Sequence, residues 1–283
     1  LAVDIWIVRG IKMRIDVLAS GSKGNCCIIR DGTTCIMIDC GTTKKYLFSS
    51  FEKVHVSKEE IDALLITHDH SDHVSQIRHF SDLTIYSPVD IPDIETLSVQ
   101  PLKPFTVETL RITPIALSHD ALHTTGYIFD NGMEKCVYIT DTGYVSEKYI
   151  PLLKGAEYII LESNHDVDML MHTRRPQFIK SRIISDSGHL CNEDCADILD
   201  KIVTNKTKSI FLAHISQEGN TRQQALQISY DMLKKHTDLS HELIISALGQ
   251  FEITTKGEND EESSYGSVCC AIGMECFSDS AHT

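Results

Sequence analysis

The chain has 283 residues, 42% hydrophobic and 23% charged, with 26 Lys+Arg against 40 Asp+Glu and a net charge of −14; this composition suits one large or two small globular domains with a sizeable core. The acidic balance excludes a protein that coats nucleic acid non-specifically, which needs excess Lys and Arg against phosphate, but it leaves room for a local basic groove. No apolar stretch reaches the roughly 18 residues of a membrane-spanning helix, and the opening LAVDIWIVRGIK has neither the basic start nor the apolar run of a signal peptide, so a cytoplasmic protein without membrane insertion is expected.

Residues 1–12 precede Met13 and read as an N-terminal extension outside the fold. Val- and Ile-rich runs at 14–19, 26–30 and 34–38 predict strands, and Asp31-Gly32 between the last two is a hairpin signal. Further strands are expected at 62–66, 105–117, 125–130 and 135–140, with Asn131-Gly132 as a second tight turn. From about residue 145 helix and strand alternate, with helices near 146–153, 192–204 and 220–236 and strands at 157–162, 208–213 and 242–246. This order predicts sheet layers covered by helices in one domain over residues 13–255, and no fixed-period repeat points to a solenoid. Residues 256–283 carry Glu258, Asp260, Glu261 and Glu262 and then Cys269, Cys270 and Cys276, and they are expected to form a flexible tail. The ten cysteines form no C-x-x-C pair, and Cys26, Cys27, Cys35, Cys40 and Cys136 lie in or beside apolar runs, so reduced core thiols are expected.

The most informative stretch is Thr67-His68-Asp69-His70-Ser71-Asp72-His73, which follows the apolar run ending at Ile66. Three His and two Asp fall within six residues. Imidazole and carboxylate bind Zn²⁺, Mn²⁺ or Fe²⁺, and donors two residues apart at a strand end can point to one side while the turning chain presents a second set. The pattern H-x-H-x-D-H therefore suits two adjacent ions.

This T-H-x-H-x-D-H after a strand resembles the signature of the metallo-β-lactamase superfamily, which implies an α+β fold, a four-layer αββα sandwich with metals at one edge. Position by position, the resemblance implies that His68 and His70 bind one divalent ion and Asp72 and His73 a second. It further implies His119 as the third His of the first site, Asp141 as a carboxylate shared by both, and His214 as closing the second. Each of these three follows an apolar run. His123 is the alternative to His119, and Asp120 is a candidate acceptor for a ligand imidazole.

Two ions sharing a carboxylate lower the pKa of a bridging water and yield a hydroxide nucleophile at neutral pH. A phosphodiester also needs an acid near its leaving oxygen. The resemblance to nuclease branches of the superfamily implies that His189, which is not a ligand there, donates this proton; with Asp72 it makes up the expected catalytic set. Asn164 and His165 follow a strand and are expected to line the cleft. Arg174, Arg175, Lys180 and Arg182 place four cations in nine residues and are expected to hold phosphate, although a solvated helix face explains any one of them equally well.

Residues 19–25 (ASGSKGN), Ile38-Asp39-Cys40-Gly41, residues 161–166 (LESNHD) and residues 188–194 (GHLCNED) together resemble the YycJ family, also called WalJ or VicX, over about residues 13–255. The resemblance implies a 5′-to-3′ exonuclease acting on double-stranded DNA, with DNA favoured over RNA as the nucleic-acid partner. The loop at 20–25 has small residues whose amides could approach an anion, and a tight hairpin explains it equally well. The chain departs from the family pattern at Cys191, where Ser is common, and in its two terminal segments. The alternatives are a small-molecule hydrolase for lactones, thioesters or β-lactams with the same metals, and a regulatory metal-binding protein with negligible turnover.

Overall fold

Strands whose side chains are buried on both faces need a layer on each side. The computed structural model, which describes residues 12–236, 238–239, 242–257 and 268–271, meets this need with two mixed sheets stacked between helices. The first sheet opens as an antiparallel meander, β1 (Met13–Ala19), β2 (Cys26–Asp31) and β3 (Thr34–Ile38), and continues in parallel through β4 (Ala63–Leu65), β5 (Thr84–Ser87) and β6 (Leu97–Ser98). The second is antiparallel from β7 (Phe105–Val107) through β8 (Leu110–Leu117), β9 (Thr124–Asp130) and β10 (Lys135–Ile139), then parallel through β11 (Tyr158–Glu162), β12 (Ser209–Ala213) and β13 (Ile244–Ala247). The strands β14 (Thr254–Gly257) and β15 (Val268–Ala271) add to β1 and β13 respectively.

Three apolar cores hold the layers. Between the sheets, Ile15, Ile29, Ile36 and Leu65 meet Ile112, Phe129, Ile160 and Phe211, each fully buried side chain contributing roughly 2 kcal/mol. Helix α1 (Lys44–Lys53) covers the outside of the first sheet through Leu47 and Phe51, and the short α2 (Ser71–Val74) follows the expected ligand loop. Outside the second sheet, α3 (Ile150–Leu153) packs there; α4 (Val167–His172) and α5 (Gln177–Ile184) follow β11, and α6 (Asn192–Ile202) and α7 (Arg222–Leu233) complete the cover with Leu199, Ile202 and Leu226. No helix among the described residues is long and apolar enough to cross a membrane.

The expected αββα layering and both hairpins are present, with Asp31 opposite Thr34 and Asp130 opposite Lys135. The expected strand at 105–117 is instead a hairpin broken at Glu108, whose φ of 48° no strand accepts. The expected domain limit at 255 also requires correction. Residue 255 lies inside β14, which buries Thr254 against β1, and Val268–Ala271 pairs with β13. Most of the expected extension, 1–11, and tail residues 258–267 and 272–283 lie outside the described residues. Cys26, Cys27, Cys35, Cys40 and Cys136 are buried free thiols.

The β1–β2 loop and the β3 end are locked to the ligand loop. Asn25 N donates to the Asp72 carbonyl at 2.8 Å, Cys40 N to the His73 carbonyl at 2.7 Å, and Gly41 N to the Asn25 carbonyl at 3.1 Å. A Cβ on Gly41 would come within 1.5 Å of the Asp72 carbonyl oxygen. Gly41→Ala should therefore lower stability by about 3 kcal/mol in urea unfolding and weaken metal binding together with it.

Candidate metal centre

The parallel strands of both sheets end on one side of the sandwich, and the polar residues at those ends converge there. Strand β4 has only three residues, all buried, before the chain leaves as Ile66-Thr67-His68. The Tyr127 hydroxyl donates to the Ile66 carbonyl at 2.5 Å, and Thr125 N donates to the Thr67 carbonyl at 3.0 Å. The second sheet thus holds the ligand loop of the first.

Asp39, beyond β3 and fully buried, accepts from Thr67 N and Thr67 Oγ1, each at 2.9 Å, and from His73 Nδ1 at 2.7 Å. Having given its one hydrogen to Asp39, Thr67 Oγ1 can only accept from His68 Nδ1, 3.1 Å away. His68 Nε2 is then the unprotonated nitrogen, and this buried atom has no protein partner.

From the second sheet, Asp141 follows β10 and His214 follows β12. Asp141 Oδ1 lies 3.1 Å from His214 Nδ1, and its Oδ2 lies 3.3 Å from His73 Nε2 without a well-directed hydrogen bond. The His214 backbone is fixed at both ends. Its N–H donates to Ser20 Oγ at 2.8 Å, and its carbonyl accepts from Asn164 Nδ2 at 2.8 Å. Glu162, at the end of β11 and fully buried, accepts His189 Nδ1 at 2.7 Å and His214 Nδ1 at 3.0 Å on Oε1, and Thr142 N at 2.8 Å on Oε2. With both oxygens engaged, Glu162 positions imidazoles rather than offering a free ligand.

A tight turn after α5 presents His189, whose N–H donates to the Ile183 carbonyl at 2.9 Å. A Cβ on Gly188 would approach that carbonyl oxygen to 2.1 Å. The Gly188 carbonyl accepts from His119 Nδ1 at 3.0 Å, so it does the orienting expected of Asp120. Asp120 Oδ1 instead lies 3.1 Å from His119 Nε2, while its other oxygen pairs with Arg182.

Among the described residues, three sets of donor atoms lie within 4.8 Å of one another: His68 with His70 and His119; His68 with His73 and Asp141; and Asp141 with Glu162, His189 and His214. Asp72 is outside these sets, its Oδ2 3.8 Å from His73 Nε2. His123 is exposed and belongs to none of them. Burial would raise the Asp141 carboxyl, but His214 and His73 outweigh it and hold the group well below the usual carboxylate range. Burial draws His214 down, but Asp141 and Glu162 prevail and push it up to about 9. In the same way Asp39 and Asp141 raise His73 against its burial. Burial and the neighbouring His73 lower His68. The buried atoms without partners, His68 Nε2, Asp141 Oδ2 and His214 Nε2, come from three separate strand ends. Orphaned buried donors and acceptors are costly, and divalent cations held by imidazole and carboxylate in the sets above would satisfy them. The residues fit such ions.

Several expected substrate contacts require correction. Asn164 spends its amide on the His214 carbonyl. His165 is 1% exposed, drawn by burial down to about 4, and so sits away from solvent as a neutral ring. Lys180 is buried, with its ammonium on the Met171 carbonyl at 2.6 Å. Arg175 pairs with Glu218 at 2.9 Å. Arg174 is exposed, and Arg182 alone of the four reaches the centre, through Asp120 beside His119. Asp166 caps α4, accepting from Met169 N at 2.8 Å. The amides of the 20–25 loop do not form an anion cradle, because Gly21, Lys23 and Gly24 donate theirs to Asn25, Gln250 and Gly21. Asp39 and Glu162 are the working residues that sequence reading leaves without a role. Both follow apolar runs as Asp141 and His214 do, and that strand-end position is the signal that marks them.

The beta-lactamase superfamily domain matches residues 34–215. The chain is 35% identical over 231 residues to exodeoxyribonuclease YycJ of Bacillus anthracis, covering 75% of this chain and 86% of that protein. It is 31% identical over 233 residues to exodeoxyribonuclease WalJ of Streptococcus pneumoniae, covering 76% and 86%. Among solved structures, the metallo-β-lactamase-fold protein YhfI from Bacillus subtilis superposes with a TM-score of 0.64 at 16% identity, covering 87% of this chain and all of that one (100%). Human tRNase Z, short form, gives 0.56 at 15% identity, covering 85% and 98%. The chain belongs to the metallo-β-lactamase superfamily, as a YycJ/WalJ-like metal-dependent hydrolase.

Proposed function

We propose that this hydrolase is a dinuclear phosphodiesterase acting as a 5′-to-3′ exonuclease on double-stranded DNA. The observation that carries the phosphodiester reading is His189, an imidazole tied to Glu162 at 2.7 Å, with ring centres 5.0 Å from His119 and 5.1 Å from His214. The choice of DNA and of a chain end is supported by the exodeoxyribonuclease relatives. Two divalent ions, one with His68, His70, His119 and Asp141 and one with Asp72, His73, Asp141 and His214, would supply a water-derived nucleophile at neutral pH and offset charge at phosphorus.

The remaining steps belong to the protein's own groups. With Nδ1 committed to the Glu162 carboxylate, His189 has Nε2 left to meet substrate. Its side chain is 19% exposed against 4% for His214, so it is the imidazole of this group that a leaving oxygen can reach. His189 gives its Nε2 proton to that oxygen, and Glu162 holds the ring in place through Nδ1. Arg182, held by Asp120 at the rim, meets a flanking phosphate.

Three outcomes follow. His189→Ala should lower kcat on duplex DNA by about 10²–10³-fold but cut cleavage of bis(4-nitrophenyl) phosphate, with its good leaving group, by under about tenfold; equal losses would make His189 structural. Asp141→Ala should lose bound metal by elemental analysis and lose DNA cleavage with it, and activity surviving in that variant would belong to a contaminant. Mn²⁺ or Zn²⁺ should raise the melting temperature more at pH 8 than at pH 6. His73 and His214 hold protons below their raised pKa values, about 9 for His214, and an ion must displace them; a pH-independent gain would place the ions elsewhere.

A further inference from the structure

A cavity of about 460 Å³ opens directly beside His119, and His119 forms part of its wall. Val99, Gln100 and Pro101, just after β6, line it from the first sheet, and Leu117, His123 and Thr124 line it from the β8–β9 turn. Its size lies in the range of pockets that enclose a small organic ligand. Its lining includes no Lys, Arg, Asp or Glu, so a phosphate or a metal ion has no counter-charge there. Thr124 is 5% exposed, and its hydroxyl is buried without a hydrogen-bond partner. Leu122, at the same turn, is 77% exposed although large and apolar. A buried hydroxyl without a partner costs stability, and both features are accounted for by a ligand with a flat apolar face and a polar edge.

We infer that this cavity holds the base of the nucleotide whose phosphate is cut, an inference that rests on the phosphodiesterase reading. The base lies between the apolar side chains, its edge meets Thr124 Oγ1, and Gln100 and His123 reach it from the rim. Because His119 is shared by the cavity wall and the metal centre, a seated base places its own phosphate at the ions. The pocket contacts one base by shape and apolar packing, so it favours any intact nucleotide over an abasic one rather than reading a sequence.

The test compares metal-loaded protein on matched duplexes that end in a normal nucleotide or in a tetrahydrofuran abasic residue. Wild type should show kcat/KM about tenfold higher on the normal end. Thr124→Val, which keeps the shape and removes the hydroxyl, and Ala116→Phe, which fills the cavity from an exposed position on β8, should narrow that ratio toward one. Equal values on both ends in wild type, or ratios unchanged in both variants, overturn the inference. In a second measurement, 2-aminopurine deoxynucleoside 5′-monophosphate is titrated by fluorescence quenching against 2-deoxyribose 5-phosphate as competitor. The nucleotide should bind about tenfold more tightly in wild type, and the variants should lose that advantage. Protein that cleaves no DNA yet keeps this preference would sink the exonuclease reading and leave the base pocket standing. Protein that cleaves DNA without the preference would do the reverse.

Discussion

Buried negative charge is the constraint around which this site is arranged. Asp39, Asp141 and Glu162 are each at most 2% exposed, and a buried carboxylate without a partner costs several kcal/mol. Each is met by imidazole, and the contacts join into one alternating chain: Asp39, His73, Asp141, His214, Glu162, His189. That chain begins at the end of a first-sheet strand and crosses to three strand ends of the second. The two halves of the sandwich are therefore coupled by charge at the site as well as by the apolar core beneath it. Asp141 is shared by His73 and His214, and Glu162 by His214 and His189, so neighbouring members of the chain are coupled through the carboxylates they share.

The backbone bears a matching cost. Asp39, Asp141 and His214 have φ values of 57°, 57° and 54°, in the left-handed region that few side chains adopt and that Asp and His enter more readily than most. All three sit just beyond apolar strands, where a left-handed residue turns the chain abruptly. The surrounding network sustains that conformation. Ser20 and Asn164 hold the backbone of His214, and Thr67 engages both oxygens of Asp39. Below them, Asn192 and Asn220 link the end of β11 to the start of α6 through Ser163. Strain at a functional position persists where neighbouring contacts over-determine it, and here those contacts are buried polar groups with satisfied partners.

What sequence shows of this centre divides along physical lines. His68, His70, Asp72 and His73 are legible because their spacing is local and their chemistry unusual for a loop. Most of the strands are legible because apolar runs with Asp-Gly and Asn-Gly turns mark them. Helix α1 is not, since only Leu47 and Phe51 of its large apolar side chains are fully buried. Asp39 and Glu162 gain their meaning from partners 34 and 27–52 positions away, and no local pattern encodes that. Lys180 and Asn164 show the converse failure, because residue type gives the chemistry of a side chain but not its direction. A lysine in a cationic run reads as a phosphate contact until its ammonium is found on the Met171 carbonyl.

The net charge of −14 takes on a different meaning once the charges are placed. Asp39, Asp141 and Glu162 are already answered within the imidazole chain, as the buried Asp16 is by Arg14 and Arg30, and divalent ions would add positive charge where the imidazole chain meets solvent. Of the cations between 174 and 182, one is buried and one is tied to Glu218, so this run does not form a basic track along which a long duplex could lie. An exonuclease needs none. In the exonuclease reading proposed above, the metal centre, the Arg182 guanidinium and a single base beside His119 would give register at a chain end without a long row of phosphate contacts. An acidic protein can therefore act on a polyanion when its positive potential is confined to the cleft, because binding elsewhere along a duplex depends on a surplus of surface cations.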